Sequence, residues 1–484
     1  MLLDDVRQLL GDLERRATGA SQTSISAALI RLDEPLRVAI AGRVKAGKST
    51  LLNAVIGAPI AASDAAECTR YVTWYRYGTH PLAFVVDQRG GRRQVAYRSD
   101  GVIEIDGIDA SSIERLEVEY PSPTLGSMTL IDTPGIASIS ESVSERATGF
   151  LTPSTGDQGA DVLVYALRFM HESDTDFLEA FSDPSARLDD PVGSLGVLSR
   201  ADELAAGRGD GLGIAALVAH RYRVHRELRR HLGEVMPVSG LLGLHGGALS
   251  QRDFEALSAL AAMPVHRQEH LLLSVDRFRA QDLPELGSDI RSALIDRFGL
   301  AGVRFAIALI RGGVCPTAER LADALVAASG IVPLREVLVG RFADRADALK
   351  ALRGLDVARA ACRSGVGNSD DARRLERIEA GAHELAEIAA LRDLGRVRSD
   401  DGGRGRASDE ELDLVELALG GRGVSAARRL GIEDTRDDWR VVAAERVDWL
   451  RSFPARRMLP RPTADVARVA LRSLEIAYSA QESS

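Results

Sequence analysis

Apolar residues recur at helical spacing in Leu2, Val6, Leu9, Leu10 and Leu13, which predicts an amphipathic helix from residue 1 to about 31 with one face in need of a partner. From Leu36 to Ser239 the period changes. Short β-type apolar runs, "LRVAIAG", "TLIDTPG", "DVLVYALR", "SLGVLSR" and "VMPVS", alternate with helical stretches, the signature of an α/β domain with a mainly parallel sheet. Between the first two runs, "LAFVVDQ", "RRQVAYRS" and "RLEVEYP" alternate polar with apolar and predict extra antiparallel strands. After Leu241 the strand signals fade, and Leu, Ala and Arg at three-four spacing predict a helical bundle to the end. Its expected breaks are "GLAG" at 299–302, "RGGVCP" at 311–316, "SGIVP" at 329–333, "RSGVGNSD" at 363–370 and "SDDGGRGRAS" at 399–408. The last helix carries Val466, Val469, Ala470, Leu474 and Ala477 on one face and is expected to pair with the first. The chain thus divides into an N-terminal bundle helix (1–35), an α/β domain (36–240) and a helical remainder (241–484).

The first predicted strand runs into Gly42-Arg43-Val44-Lys45-Ala46-Gly47-Lys48-Ser49 and then an apolar helix, the order that a phosphate-binding loop requires. Gly42 and Gly47 let the backbone turn, so that the amides of the loop and helix start, Lys45 through Thr50, can surround phosphate oxygens. Lys48 adds positive charge at the β and γ phosphates, and Ser49 offers a hydroxyl to Mg²⁺. Asp132-Thr133-Pro134-Gly135 follows another strand, putting a carboxylate where it can hold a Mg²⁺-bound water and a glycine amide where it can meet the γ-phosphate. Thr69, with Thr73 as the alternative, is the candidate switch threonine that coordinates Mg²⁺ and senses the γ-phosphate.

Ser199-Arg200-Ala201-Asp202 occupies the place of a guanine-reading Asn/Thr-Lys-x-Asp motif. Asp202 can accept both guanine donors, which adenine lacks in that geometry, and Arg200 can stack on the base as a lysine stem does. Ser239, after the last strand, fits a base-contacting turn.

A length of 484 residues exceeds one hydrophobic core, so two or three units are expected. A net charge of −9 argues against a general nucleic-acid binder, which needs a basic surface to displace counterions. Three widely separated cysteines, Cys68, Cys315 and Cys362, suit a reducing compartment rather than a disulfide framework. The N-terminus carries aspartates where a signal peptide is basic, and the apolar "FAIALI" (305–310) is far short of the roughly 20 residues that span a bilayer, so a cytoplasmic protein is expected. "HRQEH" at 266–270 has a zinc-peptidase spacing without third-ligand candidates and reads as a solvated helix face. "WLRSFPARRMLPRP" (449–462) is basic and aromatic, and its place before the last helix suits a hinge better than a lipid contact.

On "AGRVKAGKSTLLNAV", "DAAECTRYVTWYRYG", "IDTPG", "SRAD" and the helical remainder, the chain resembles the bacterial dynamin-like GTPases over nearly its whole length. Lys48 and Asp132 stand 84 residues apart, as in the enlarged G domains of that family. The resemblance implies an α/β P-loop GTPase domain plus an elongated all-α neck and trunk, with GTP as substrate and Mg²⁺ as cofactor. It also implies dimerisation of G domains, with the same chain or a second dynamin-like protein, and peripheral attachment to the inner face of the plasma membrane. Ras-like proteins place a water-orienting Gln after "DTPG", where this chain has Ile136, so catalysis must come from elsewhere. Lys45 occupies the place of a cis-acting cation in the loop, with Arg43 as the alternative and a solvent-facing role for both as another. A GTP-binding scaffold of low turnover, paired with a second dynamin-like protein, is the rival function. The candidate lipid contacts are the apolar segment 299–314 and the arginine loop 396–406, the latter if it caps a hairpin far from the G domain.

Overall fold

The computed structural model describes residues 2–62, 71–98, 101–134, 159–169, 178, 192–205, 211–225, 228–281, 283, 286–399, 407–432, 439–457 and 459–482. Strands β1 (Leu36–Gly42), β2 (Thr73–Tyr77), β3 (Leu82–Asp87), β4 (Arg92–Val95), β5 (Ile113–Tyr120), β6 (Met128–Asp132), β7 (Val162–Leu167), β8 (Ser194–Ser199) and β9 (Val235–Val238) make one sheet. Its order is β4-β3-β5-β2-β6-β1-β7-β8-β9. From β6 to β9 every pairing is parallel. Strands β1, β7 and β8 are buried at every position because both faces are covered, which is why they read as mainly apolar runs.

The extra strands are antiparallel only in part. β3 runs antiparallel to β4 and β5, and β2 to β6, but β5 lies parallel to β2. The β3–β4 hairpin leaves β4 running in the direction of β2, and the chain then doubles back through the antiparallel Tyr97–Ile103 bridge before it enters β5 in that same direction.

Two features of the helical expectation change. The N-terminal segment is two helices, α1 (Leu2–Glu14) and α2 (Gly19–Asp33), because the chain turns at Thr18 and at Gly19, whose φ of +59° is glycine-favoured. The first and last helices also bury their apolar faces in different clusters. Val6, Leu9, Leu10 and Leu13 of α1 pack with Ala351, Leu355, Ala358 and Ala361 of helix Ala346–Arg363. Gly354 sets that approach, since a Cβ there would fall 2.6 Å from Val6 Cγ1. Val466, Ala470 and Leu474 of helix Arg461–Glu482 instead join a cluster with Leu412, Val415, Leu450 and Phe453. A row of small residues lets α1 sit closer than a second leucine face would, and that complementarity decides the pairing.

The expected break at 299–302 falls at Gly299, where a non-helical φ of 66° and ψ of 170° kink Ser288–Arg311 into two helical halves. The "FAIALI" stretch lies in this helix, with Ala306 and Ile307 in a separate apolar cluster of residues 242–325. The largest cluster runs across residue 240: Leu51, Leu52 and Val55 beneath the sheet share it with Ile331, Leu334, Leu338 and Phe342.

Candidate nucleotide site

The loop after β1 is held by residues that only particular backbones allow. A Cβ on Gly42 would fall 2.3 Å from the Ala166 carbonyl oxygen of β7, so the strand can end beside β7 only with glycine. Lys45 at φ 64° and Gly47 at φ 83° turn the loop left-handed on its way into helix α3 (Lys48–Ile56), a conformation uncommon for lysine. Lys48 Nζ donates back across the loop to the Arg43 carbonyl at 3.2 Å. Burial pushes the Lys48 ammonium below its ordinary range, against the pull of Asp132.

Ser49 Oγ donates to Asp132 Oδ2 at 3.1 Å, which joins the first turn of α3 to the end of β6. Asp132 Oδ1 is buried and has no hydrogen-bond partner among the described residues. Burial raises the Asp132 carboxyl above its ordinary range, offset in part by Lys48 and by the Ser49 hydroxyl. A lysine and a carboxylate, both desolvated, thus flank one hydroxyl. A hydroxyl oxygen is a hard ligand of the kind that Mg²⁺ takes, and the orphaned carboxylate oxygen is free to accept from a water on the ion, so the residues fit it. Thr133 Oγ1 donates to the Ile40 carbonyl at 2.9 Å and fixes the turn after β6 against β1.

The base-reading candidates gather on the other side of the loop. Ser199 Oγ donates to the carbonyls of Ala46 at 2.6 Å and Leu167 at 3.0 Å, tying the loop to the ends of β7 and β8. Arg200, at φ 55°, lays its Cγ 3.8 Å from where a Gly47 Cβ would stand. Its Nε donates to Glu203 Oε1 at 2.7 Å. Burial raises the Asp202 carboxyl, and the Ser239 hydroxyl pulls it partly back without forming a well-shaped hydrogen bond. The bend of helix Ser288–Arg311 closes this side, with a Cβ on Gly299 falling 4.0 Å from Asp202 Oδ2.

A cleft of about 210 Å³ opens between the loop and the end of β7, lined by Arg43, Val44, Lys45, Arg168 and Phe169 among others. Lys45 is exposed there, and Val44 and Phe169 are each 48% exposed. Arg168 and its partner Glu203, 2.9 Å apart, were not singled out from the sequence. The available signal was position, since Arg168 directly follows a parallel strand next to the phosphate loop. Thr69 and Gly135, like Ile136, lie outside the described residues. Thr73 stands in register opposite Asp132, with its hydroxyl donating to the Tyr71 carbonyl at 3.4 Å.

The lipid-contact candidates fare differently. Within the apolar segment Val303, Ala306 and Ile307 are core and Phe305, Leu309 and Ile310 pack against them, while residues 311–314 are exposed. Arg398 does not lie far from the α/β domain: it bonds Asp413 at 2.6 Å and Glu416 at 2.8 Å, and Asp413 in turn accepts from Arg223 of helix Gly211–Val224 at 2.7 Å. Arg396 pairs with Asp393 at 2.9 Å, and residues 400–406 lie outside the described set. His266, Glu269 and His270 are exposed on helix Val265–Leu271. Trp449 stacks on buried Phe453 at 4.5 Å in helix Trp439–Arg457. Among the described residues no helix is long and apolar enough to cross a membrane.

Comparison with known proteins gives consistent matches. The model of the Dynamin family matches residues 38–199. Isoniazid-induced protein IniC of Mycobacterium tuberculosis is 36% identical over 457 residues, covering 92% of this chain and 90% of IniC, in both strain H37Rv and strain CDC 1551. Isoniazid-induced protein IniA of the same organism is 28% identical over 297 residues, 57% of this chain and 41% of IniA. A solved structure of an oligomerised bacterial dynamin pair, described as a mechanism for long-range sensing and tethering of membranes, is 14% identical. It aligns over 100% of this chain and 74% of its own, at a TM-score of 0.31.

Proposed function

The chain belongs to the dynamin family of GTPases, and from that premise we propose that it binds GTP with Mg²⁺, hydrolyses it to GDP and phosphate, and couples dimerisation of its GTPase domains to movement of a helical stalk at a membrane. Asp132 carries the proposal. Its buried, unpartnered Oδ1 beside the Ser49 hydroxyl and the desolvated Lys48 is what a site for a phosphate-bound cation requires. Ser49, Thr69 and Asp132 would hold Mg²⁺, Asp132 through water, and the ion would neutralise charge on the β and γ phosphates. Gly42 and the amides from Lys45 to Thr50 cradle the phosphates, with Gly135 at the γ position. Ser199, Arg200, Asp202 and Ser239 receive the base.

With Ile136 in the usual place of the water-orienting glutamine, transition-state charge is met by Lys45, or by Arg43, both at the mouth of the cleft. An exposed apolar and basic rim of Val44, Phe169, Lys45 and Arg168 suits coverage by a second GTPase domain. In this proposal residues 36–240 are the GTPase domain, and 1–35 with 241–484 the neck and trunk. Attachment is peripheral, on the cytoplasmic face of the plasma membrane.

The missing glutamine and the partial likeness to IniA favour one rival, a low-turnover GTP-binding scaffold that works with a second dynamin-like protein. Turnover of GTP and ATP by the purified full chain, with and without anionic liposomes, tests the proposal. Hydrolysis of GTP over ATP, increased by liposomes, is expected. Preference for ATP rejects the base site, and negligible turnover rescued only by a partner dynamin selects the scaffold.

A further inference from the structure

Helix α3 ends inside the protein, so the carbonyls of its last turn need partners. Asn53 O accepts from the amides of Gly57 at 2.8 Å and Ala58 at 3.1 Å. Ile56 O accepts from Ser122 Oγ at 3.0 Å, and Val55 O from Thr124 Oγ1 at 3.3 Å. Arg335 supplies the rest: its Nη2 donates to Ala54 O at 2.5 Å and its Nε to Val55 O at 2.9 Å. Arg335 belongs to helix Ile331–Val337, about 280 residues further along the chain. Gly57 leaves room for it, since a Cβ there would lie 3.2 Å from Arg335 Nη2.

A guanidinium at this place does more than fill hydrogen bonds. The C-terminal end of a helix carries partial negative charge, and a fixed cation there is favourable. The opposite end of the same nine-residue helix carries Lys48 and Ser49. Such a helix is a rod of roughly 13 Å, short enough to move as one body. The segment that carries Arg335 also holds the base side. Ser239 N donates to Ser329 O at 2.8 Å, and a Cβ on Gly330, at φ 74°, would fall 2.3 Å from the Pro237 carbonyl oxygen. Ile331 and Leu334 share the core of Leu51, Leu52 and Val55. Residues 329–335 therefore grip the far end of the phosphate helix and the turn beside Asp202 together.

We propose that Arg335 is a positioning residue that locks α3 to the helical half, so that nucleotide on the first turn of α3 and order in residues 331–342 stabilise one another. This rests on the nucleotide site proposed above. Arg335 does not touch the nucleotide; it acts through α3, and the linkage is reciprocal.

Hydrogen exchange of the full chain, with and without GDP and Mg²⁺, tests it. In the wild type, amides of α3 and of 331–342 slow together, by about fivefold or more. In Arg335→Ala the slowing in α3 remains and that in 331–342 is lost, while Arg335→Lys, which keeps the charge but not the two-pronged reach, recovers part of it. Equal slowing of 331–342 in wild type and Arg335→Ala overturns the proposal. So does slowing confined to α3 in the wild type. Slowing at neither place in the wild type overturns the nucleotide site as well, which separates the two failures. If Arg335→Ala does not fold, the wild type and Arg335→Lys decide: an undiminished effect in Arg335→Lys overturns the inference.

Discussion

Replacing Asp161 with asparagine tests whether one buried carboxylate joins the sheet to the helical half. Asp161 precedes β7, and its side chain is 1% exposed. It accepts from Arg31 of α2 at 2.5 Å and from the Arg37 amide of β1 at 2.8 Å, and it pairs with Arg353 of helix Ala346–Arg363 at 3.2 Å. Asparagine keeps the size and the acceptor for the Arg37 amide but removes the charge that the arginines face. Loss of one partner from a buried pair costs about 3–5 kcal/mol. Here the lower end applies, because Glu34 still bonds both Arg31 and Arg37 at 2.6 Å. For a cooperative unit of 150–250 residues, about 3 kcal/mol lowers the melting temperature by roughly 6–12 °C.

Acid separates charge from packing. Burial raises the Asp161 carboxyl, but Arg31, Arg353 and the Arg37 amide outweigh it and hold the group below the ordinary value of 3.8. A carboxyl lowered by folding contributes stability above its unfolded pKa and loses it as pH falls through the folded one. The gap between wild type and Asp161→Asn, followed by scanning calorimetry, therefore stays constant near neutrality and closes below about pH 4. A melting shift under about 2 °C at pH 7, or a gap that persists in acid, refutes the reasoning.

Lys45→Ala lowers kcat for GTP by about 10²-fold with little change in nucleotide affinity, because the exposed lysine acts on charge that develops in the transition state; wild-type kcat in steady-state kinetics removes it from catalysis. Asp202→Asn weakens GTP by about 10²-fold and improves xanthosine triphosphate, since an amide donates where guanine's amine has been replaced by oxygen; a competition assay with unchanged preference shows that Asp202 does not read the base.

The phosphate loop was legible because strand, turn and helix start are consecutive residues, and each part has its own local chemistry. Strands β1, β7 and β8 were legible for a related reason, since burial on both faces writes a mainly apolar run, interrupted only by Arg37 in β1 and bounded by serines in β8. What failed was pairing at long range. Nothing in α1 alone says that its leucines seat on Gly354 rather than on Leu474, because the choice lies in the small residues of the partner. Arg335 and Asp161 were silent for the same reason, each acquiring meaning from groups more than 120 residues away. Arg398 shows the converse, since an arginine in a polar loop looks solvent-directed until Asp413 and Glu416 fold against it.

Phosphate release from GTP in the presence of Mg²⁺, measured side by side for the wild type and Lys48→Ala over a range of protein concentrations, tests the central claim most directly. Lys48 opens helix α3, and its ammonium turns back to the Arg43 carbonyl instead of packing in an apolar core, so its loss should remove phosphate binding and leave the fold intact. The account predicts release by the wild type with specific activity rising as concentration brings GTPase domains together, and background release by Lys48→Ala. Background release by the wild type at every concentration, or equal release by the two proteins, contradicts it.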